Sequence, residues 1–218
     1  MRPDGRRAIV TGSGRGLGLA YAEALAVAGA AGVVNDVDRE TVDAAVEKIA
    51  AAGGRAVGVA AAVGDAPAAE TLVNAAVEEF GGLDVLVTNA GILRDRVLWK
   101  MTDDDFDAAI GVHLSGTLTC ARGPPRMREQ GTGGRIVLVG SPAGQRGDFG
   151  RTDYAAAKAG IVAMARTWAM GLARAEITVN AVVPVAATEM TKTIPAFAPV
   201  IAESEPTVNT TAATFRSR

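Results

Sequence analysis

The sequence predicts an α/β fold, a doubly wound parallel sheet with helices on both faces. Short apolar runs alternate with alanine- and leucine-rich helical stretches along most of the chain. A glycine-rich turn, Thr11-Gly12-Ser13-Gly14-Arg15-Gly16-Leu17-Gly18, follows the first apolar run directly. With 218 residues, 49% hydrophobic and 21% charged, the chain can bury one good-sized core. Strand, helix, strand at this spacing calls for parallel pairing, because each connection must cross a face of the sheet.

The elements follow in order. Ala8 to Thr11 reads as the first strand, and Leu17 to Ala28 as a helix closed by Gly29. Val33 to Asp36 is the second strand, Arg39 to Ala52 a helix ended by Gly53-Gly54, and Ala56 to Ala61 the third strand. Pro67 suits the first turn of a helix reaching about Phe80, since its missing N–H is not needed there. Gly81-Gly82 ends that helix, and Asp84 to Asn89 is strand four. Thr102 is placed to cap a helix running to Arg122, with Asp103, Asp104 and Asp105 in its electropositive first turn. Gly123-Pro124-Pro125 breaks that helix. Arg135 to Gly140 is strand five, Asp153 to Ala173 a long helix, and Thr178 to Val183 strand six. After Met190 the chain carries Pro195, Pro199 and Pro206 and then a Thr/Asn/Ser-rich end with no clear period. The division expected is a domain over 1–190, followed by a partial substrate lid and irregular tail over 191–218.

Bulk properties exclude several classes. The net charge is -2 and no strongly basic stretch exists, so the arginines read as a solvated surface and not as a nucleic-acid footprint. Cys120 is the single cysteine, which removes internal disulfides, and it sits in an apolar helical stretch. His113 is the single histidine, so no histidine-rich metal site is expected. No signal peptide is read before the first strand and no run of eighteen apolar residues follows, so a cytoplasmic protein without a membrane partner is the expectation.

Gly12, Gly14, Gly16 and Gly18 lie between a strand and a helix. Glycines there let the backbone turn sharply and approach a pyrophosphate, and the free N–H groups of the next helix face its charge. The spacing departs from the strict G-x-G-x-x-G pattern, so the cluster alone is equally a tight loop; its strand–turn–helix setting favours a dinucleotide. Asp36 ends strand two, where a carboxylate accepts from the ribose hydroxyls of NAD and repels the 2′-phosphate of NADP. Arg15 and Arg39 carry charge that would offset that repulsion, which leaves NADP open.

Tyr154 and Lys158 are one helical turn apart, and Ser141 lies at the end of a strand thirteen residues before the tyrosine. A phenol ionises near pH ~10, and a neighbouring ammonium favours the phenolate. Such a tyrosine can take a proton from an alcohol or return one to a ketone. A Tyr-x-x-x-Lys pair by itself is an ordinary surface pair. Ser141 at the carboxyl edge of the sheet, where open α/β folds bind ligands, argues for chemistry.

These pieces carry a resemblance to the short-chain dehydrogenase/reductases over about residues 6 to 194. They are Thr11 to Gly18, Asn89-Ala90-Gly91 after strand four, Ser141, Tyr154-Ala155-Ala156-Ala157-Lys158, and Val179-Asn180-Ala181-Val182-Val183-Pro184. The resemblance implies a Rossmann-like sheet in the order 3-2-1-4-5-6. It implies Tyr154 as acid/base, Ser141 orienting the substrate oxygen, and Lys158 binding the nicotinamide ribose while lowering the tyrosine pKa. The cofactor, NAD or NADP, would lie along Gly12, Ser13, Arg15, Gly16, Leu17 and Gly18. It would continue past Asp36, Val63, Asn89, Ala90 and Gly91 to Tyr154, Lys158, Pro184 and Thr188. Gly91-Ile92-Leu93-Arg94-Asp95-Arg96 and Val112-His113-Leu114 look most like the hydroxyacyl-CoA dehydrogenase domains of multifunctional β-oxidation enzymes. The implied substrate is a secondary alcohol or ketone, with a 3-hydroxyacyl thioester such as an acyl-CoA as one form.

The pattern also has departures. His113 stands where many members carry a catalytic asparagine, and both a proton-relay role and a helix-packing role fit it. Thr88 replaces the first asparagine of Asn-Asn-Ala-Gly, Ala62-Val63 stands where Asp-Val usually contacts adenine, and Val185 replaces a glycine after Pro184. No helix and seventh strand are found after Met190. Strand six would then be an uncovered apolar edge, and the assembly expected, a homo-oligomer, would depend on what the C-terminus permits. An NAD-linked oxidoreductase, a catalytically impaired nucleotide-binding remnant and an NADP-dependent 3-oxoacyl reductase are the rival readings.

Overall fold

A computed structural model describes residues 3–120, 123–185 and 209–213. Six parallel strands form the sheet: β1 (Arg7–Val10), β2 (Ala31–Asp36), β3 (Arg55–Ala60), β4 (Val85–Thr88), β5 (Gly134–Val139) and β6 (Ile177–Val185). Their order is 3-2-1-4-5-6, the doubly wound order the sequence predicts. Helices α1 (Gly16–Val27), α2 (Arg39–Ala51), α3 (Ala66–Phe80), α4 (Asp103–Ile110), α5 (Gly116–Cys120), α6 (Gly123–Gln130), α7 (Ala143–Arg146) and α8 (Thr152–Leu172) make the connections.

The period of two in the strands sorts the core into two layers. Ile9, Val33, Leu86, Ile136 and Leu138 face one side, where Leu72 of α3, Cys120 of α5, Met127 of α6 and Ile161 of α8 pack on them. Val10, Val34, Val87 and Val139 face the other, against Ala22 of α1 and Val42 and Ile49 of α2. Strands buried on both faces are why the runs read as continuously apolar. Each fully buried Leu, Ile or Val contributes about 1.5–3 kcal/mol relative to exposure.

Local chemistry sets the helix starts. The Asp38 carboxylate accepts from Thr41 N at the start of α2, and Asp65 from Ala68 N at the start of α3. At α4 the Thr102 hydroxyl accepts from Asp105 N while the Asp105 carboxylate accepts from Thr102 N, a reciprocal cap that meets the expectation for Thr102. The helix expected to run on to Arg122 is interrupted by a π-turn over Gly111–Ser115, which carries His113. Gly123-Pro124-Pro125, expected to break that helix, forms the first turn of α6, where proline is tolerated; the residues between α5 and α6 lie outside the described ones.

The C-terminal edge corrects an expectation. A seventh strand, β7 (Asn209–Ala213), pairs antiparallel with β6 from Ala181↔Ala213 to Val185↔Asn209. Strand six is therefore not an uncovered edge. The open N–H and C=O row of β6 is a template for any extended segment, and β7 takes it. The sequence signal failed here because Asn-Thr-Thr-Ala-Ala shows no apolar alternation. The rest of the expected lid and tail lies outside the described residues.

The amino ends of β1 and β4 are tied by one carboxylate. Buried Asp84 accepts from Arg7 Nε at 2.6 Å, Arg7 Nη2 at 2.9 Å, Arg7 N at 2.9 Å and Arg6 Nη1 at 3.2 Å. Burial pushes the Asp84 carboxyl up, but the hydrogen bonds and charge of Arg7 outweigh it and hold it below the usual range. A depressed carboxylate contributes stability above pH ~4, lost as pH falls through its lowered folded value. Asp84→Asn should therefore cost about 1.5–3 kcal/mol in urea unfolding at neutral pH, the worth of charged hydrogen bonds. That deficit should shrink on acidification, because wild type then loses the same advantage.

Candidate active site

The cofactor half is built on a turn that only glycine permits. Gly12 has φ 59°, and a Cβ there would lie 2.6 Å from Ala90 Cα. A Cβ on Gly18 would collide with the Gly12 carbonyl. Thr11 closes the crevice from below: its Oγ1 accepts from Asn89 N at 3.0 Å and Ala90 N at 3.1 Å. Asn89 Nδ2 in return donates to Thr11 O at 3.1 Å and Gly12 O at 2.9 Å. The Asn-Ala-Gly turn and the glycine turn are thus one hydrogen-bonded unit.

The start of α1 differs from those of α2, α3 and α4. No side chain caps it and no acid lies in its first turn. Its N–H groups and the positive end of its dipole are left for an anion. At the far end of this wall Asp36 closes β2; its Oδ1 accepts from Val37 N at 2.8 Å. Arg39 is turned onto Asp43 and the Gly58 carbonyl, both at 3.4 Å, and does not line the cavity.

A cavity of about 520 Å³ runs along the carboxyl edge of the sheet. Gly12, Arg15, Gly16, Leu17, Gly18 and Asp36 line one end, with Val63, Asn89, Ala90 and Gly91 beside them. His113, Ser141, Tyr154, Lys158 and Pro184 line the rest. Ser13 does not line it. Its hydroxyl is fully buried, donating to Val10 O at 2.6 Å and accepting from Asn35 N at 3.0 Å, so it staples β1 to β2. Thr188 lies outside the described residues. The glycine cradle, the uncapped helix and the terminal carboxylate fit a dinucleotide.

At the reaction end, Ser141 follows β5 and Tyr154 and Lys158 project from the first two turns of α8. Lys158 is 3% exposed, and its Nζ donates to Val139 O at 2.7 Å. Burial lowers its pKa to about 8, so it remains an ammonium at neutral pH. Its Nζ stands 5.6 Å from the Tyr154 ring centroid. Burial pushes the Tyr154 phenol above its ordinary value, more than a hydrogen bond with Ser141 and the charge of Arg151 pull it down. The expected lowering of the tyrosine pKa by Lys158 is therefore corrected: burial leaves the phenol above its ordinary value, and the cation that pulls it down is Arg151.

His113 is 1% exposed, its ring meeting Tyr154 edge to face at 5.0 Å. Its Nε2 lies 2.7 Å from Ile92 O and 3.2 Å from Ile92 N. The shorter contact makes Nε2–H the donor. Nδ1 is then a buried acceptor with no protein partner. Burial first, then the Lys158 charge, lowers the His113 pKa to about 3, so the ring is neutral. A Cβ on Gly91 would overlap the imidazole, which explains the glycine. The ring packs against Tyr154 and Gly91 and its Nδ1 is withdrawn from the cavity surface, so the geometry favours the packing role over the relay.

Four charged residues at the site were given no role from the sequence. Arg146, Asp148 and Arg151 line the cavity, and Asp95 reaches it through Arg151. The run Gly147-Asp148-Phe149-Gly150-Arg151 between Ser141 and Tyr154 was a signal of a charged loop. Its partner Asp95, 56 positions earlier, has no signature in spacing. Among the described residues no His/Cys/Asp/Glu group is arranged for a metal, and no helix is long and apolar enough to cross a membrane.

A family model described as short chain dehydrogenase matches residues 6–198. The chain is 40% identical over 204 residues to a peroxisomal multifunctional enzyme type 2 of Drosophila melanogaster, a match covering 89% of this chain and 33% of that enzyme. It is 41% identical to a 3-oxoacyl-[acyl-carrier-protein] reductase of Synechocystis sp., covering 86% of this chain and 76% of that one. A crystal structure of a short chain dehydrogenase from Mycobacterium avium superposes with a TM-score of 0.83 at 41% identity, covering 89% of this chain and 72% of that chain. The chain therefore spans about a third of the length of the multifunctional enzyme and about three quarters of the reductase. With its strand order, its glycine turn and its Ser141, Tyr154 and Lys158 in one cavity, the chain belongs to the short-chain dehydrogenase/reductase family, whose members use NAD or NADP.

Proposed function

We propose that this chain interconverts a secondary alcohol and a ketone with NAD, and that the substrate is a 3-hydroxyacyl or 3-oxoacyl thioester. The observation that carries the reading is that Ser141, Tyr154 and Lys158 line the same cavity as the glycine turn. The similar 3-oxoacyl-[acyl-carrier-protein] reductase supports the substrate class. Asp36 at the cavity end, with Arg39 engaged elsewhere, supports NAD over NADP. Exposed Leu118 on α5 and Met170 on α8 support self-association.

A nicotinamide dinucleotide held along Gly12, Gly16, Asp36, Asn89 and Lys158 would supply or accept the hydride. The residues of the chain manage the proton and the geometry. Ser141 orients the substrate oxygen through its hydroxyl. The Tyr154 phenolate takes the hydroxyl proton as the carbinol carbon is oxidised; in reduction the phenol returns it. Lys158, fixed by Val139 O, keeps further N–H donors for the cofactor ribose and supplies positive charge behind the phenol. Neutral His113 packs edge to face on Tyr154 and against Gly91, which holds the phenol in place. Ile92, Leu93 and Val185 give the substrate end an apolar wall that limits water.

Tyr154→Phe should lower kcat for 3-hydroxyacyl-CoA oxidation by about 10²–10⁴-fold while NADH binding by calorimetry changes little. Equal turnover in the two proteins would remove Tyr154 from the chemistry. Tight NADH binding without turnover in wild type would favour the catalytically impaired remnant.

Because the phenol must be ionised to act as base and burial raises its pKa, kcat/KM for oxidation should climb as pH rises from neutral to alkaline. A flat profile would contradict that assignment.

Asp36→Ala should weaken NAD by about 10–100-fold, the worth of charged hydrogen bonds, and narrow its advantage over NADP. An unchanged NAD/NADP ratio in a titration of both would exclude Asp36 as the selector and leave the NADP-linked oxoacyl reductase standing.

A further inference from the structure

A charge cluster lies between Ser141 and Tyr154 that the steps above do not use. Arg151 immediately precedes α8 and is only 7% exposed. Its Nε donates to Asp95 Oδ1 at 3.0 Å and its Nη2 to Asp95 Oδ2 at 2.7 Å, a two-pronged pair. Its Nη1 donates to Asp148 Oδ2 at 2.9 Å. Alongside, Arg96 N donates to Gly150 O at 2.8 Å. The segment after β4, which gives Ile92 and Leu93 to the cavity, is thereby tied to the segment that leads into Tyr154.

Burying a guanidinium costs desolvation even with two half-exposed carboxylates on it, and an apolar contact would join two loops as well. The placement has a reason if the charges act on what lies next to them. Arg151 and Asp148 share the cavity wall with Tyr154, which is three residues along the chain from Arg151. The wall that holds Tyr154 also carries Lys158 on its own helix, neutral His113 from the π-turn, Ser141 after β5, Arg146 of α7, Asp148 and Arg151; buried Asp153 precedes Tyr154 in the chain and is not part of that wall. Lys158 is engaged with a backbone carbonyl, so Arg151 is the second fixed cation at the phenol.

We propose that Arg151 is a positioning residue for the acid/base step: held by Asp95 and Asp148, it fixes the start of α8 against the substrate wall and sets the charge that Tyr154 feels. The proposal rests on Tyr154 being the acid/base. Its physical content is a sign rule. After burial, the largest influence on the phenol, Arg151 favours the phenolate while Asp95 and Asp148 oppose it. Removing the cation and removing one anion should then move the tyrosine in opposite directions, which a merely structural latch would not do.

The chain has two tyrosines, so Tyr21→Phe leaves Tyr154 as the only phenol and its ionisation can be followed by ultraviolet difference titration without turnover. In that background Arg151→Gln should raise the midpoint, Asp95→Asn should lower it, and Arg151→Lys should stay near the parent. The rising limb of kcat/KM for oxidation should move with the midpoint, and KM for NAD should hold steady. Shifts of the same sign in Arg151→Gln and Asp95→Asn, or no shift in either, would overturn the proposal, as would midpoints that move without the kinetic limb. If Arg151→Gln does not fold, Asp95→Asn and Asp148→Asn carry the test: a lowered midpoint supports it and an unmoved one overturns it. Full turnover in Tyr154→Phe alongside the expected midpoints would instead sink the catalytic role of the tyrosine and leave the electrostatics intact.

Discussion

One side chain joins the two halves of the sheet at its working edge. Thr11 Oγ1 receives two consecutive amides, Asn89 N and Ala90 N, across the gap between β1 and β4. The strand order reverses there, so the connections from β1 and β4 leave in opposite directions and a crevice opens between them. Asn89 spends its amide donors on the Thr11 and Gly12 carbonyls, which would otherwise be left unpaired at the turn. With those bonds in place, a side chain at position 12 has no room, and α1 must begin with its N–H groups facing the crevice. The dinucleotide fit, and with it the direction from which a substrate meets Tyr154, follows from this joint.

The reaction end is governed by burial. Lys158, His113 and the Tyr154 phenol are all withdrawn from water, and burial moves each toward its neutral form. For His113 the result is a neutral ring with one bare nitrogen. For Lys158 it is an ammonium with a lowered pKa near 8, held on a carbonyl. The phenol is pulled both ways by Ser141, Arg151 and the two aspartates, so its proton affinity is a balance of fixed groups from three loops.

The fold was legible where its causes are local. The helix start at Thr102 is written in residues three apart, and the glycine turn announces itself between a strand and a helix; the caps at Asp38 and Asp65, equally local, went unread. Most of the cavity wall was legible for the same reason, since motif residues stand together in the chain. What stayed hidden depends on distant partners or on missing periodicity. Asp95 and Arg151 meet only because β4 and β5 are neighbours in the sheet. Ser13 looked like a cofactor contact because it sits among the glycines, but its hydroxyl is consumed by β1 and β2. The π-turn at His113 adds one residue to a helix without changing its composition. Strand β7 lacks the alternation that marks a strand, and the backbone of β6 supplies its pairing.

The central claim is that one cavity brings a nicotinamide and a carbinol carbon together beside Tyr154. The most direct measurement uses a 3-hydroxyacyl-CoA deuterated at the carbinol carbon with NAD, following the label by mass spectrometry of the recovered dinucleotide. The account predicts deuterium on the nicotinamide ring and a slower rate than with the protiated substrate. Dinucleotide recovered without label, from protein that demonstrably binds it, would contradict the account.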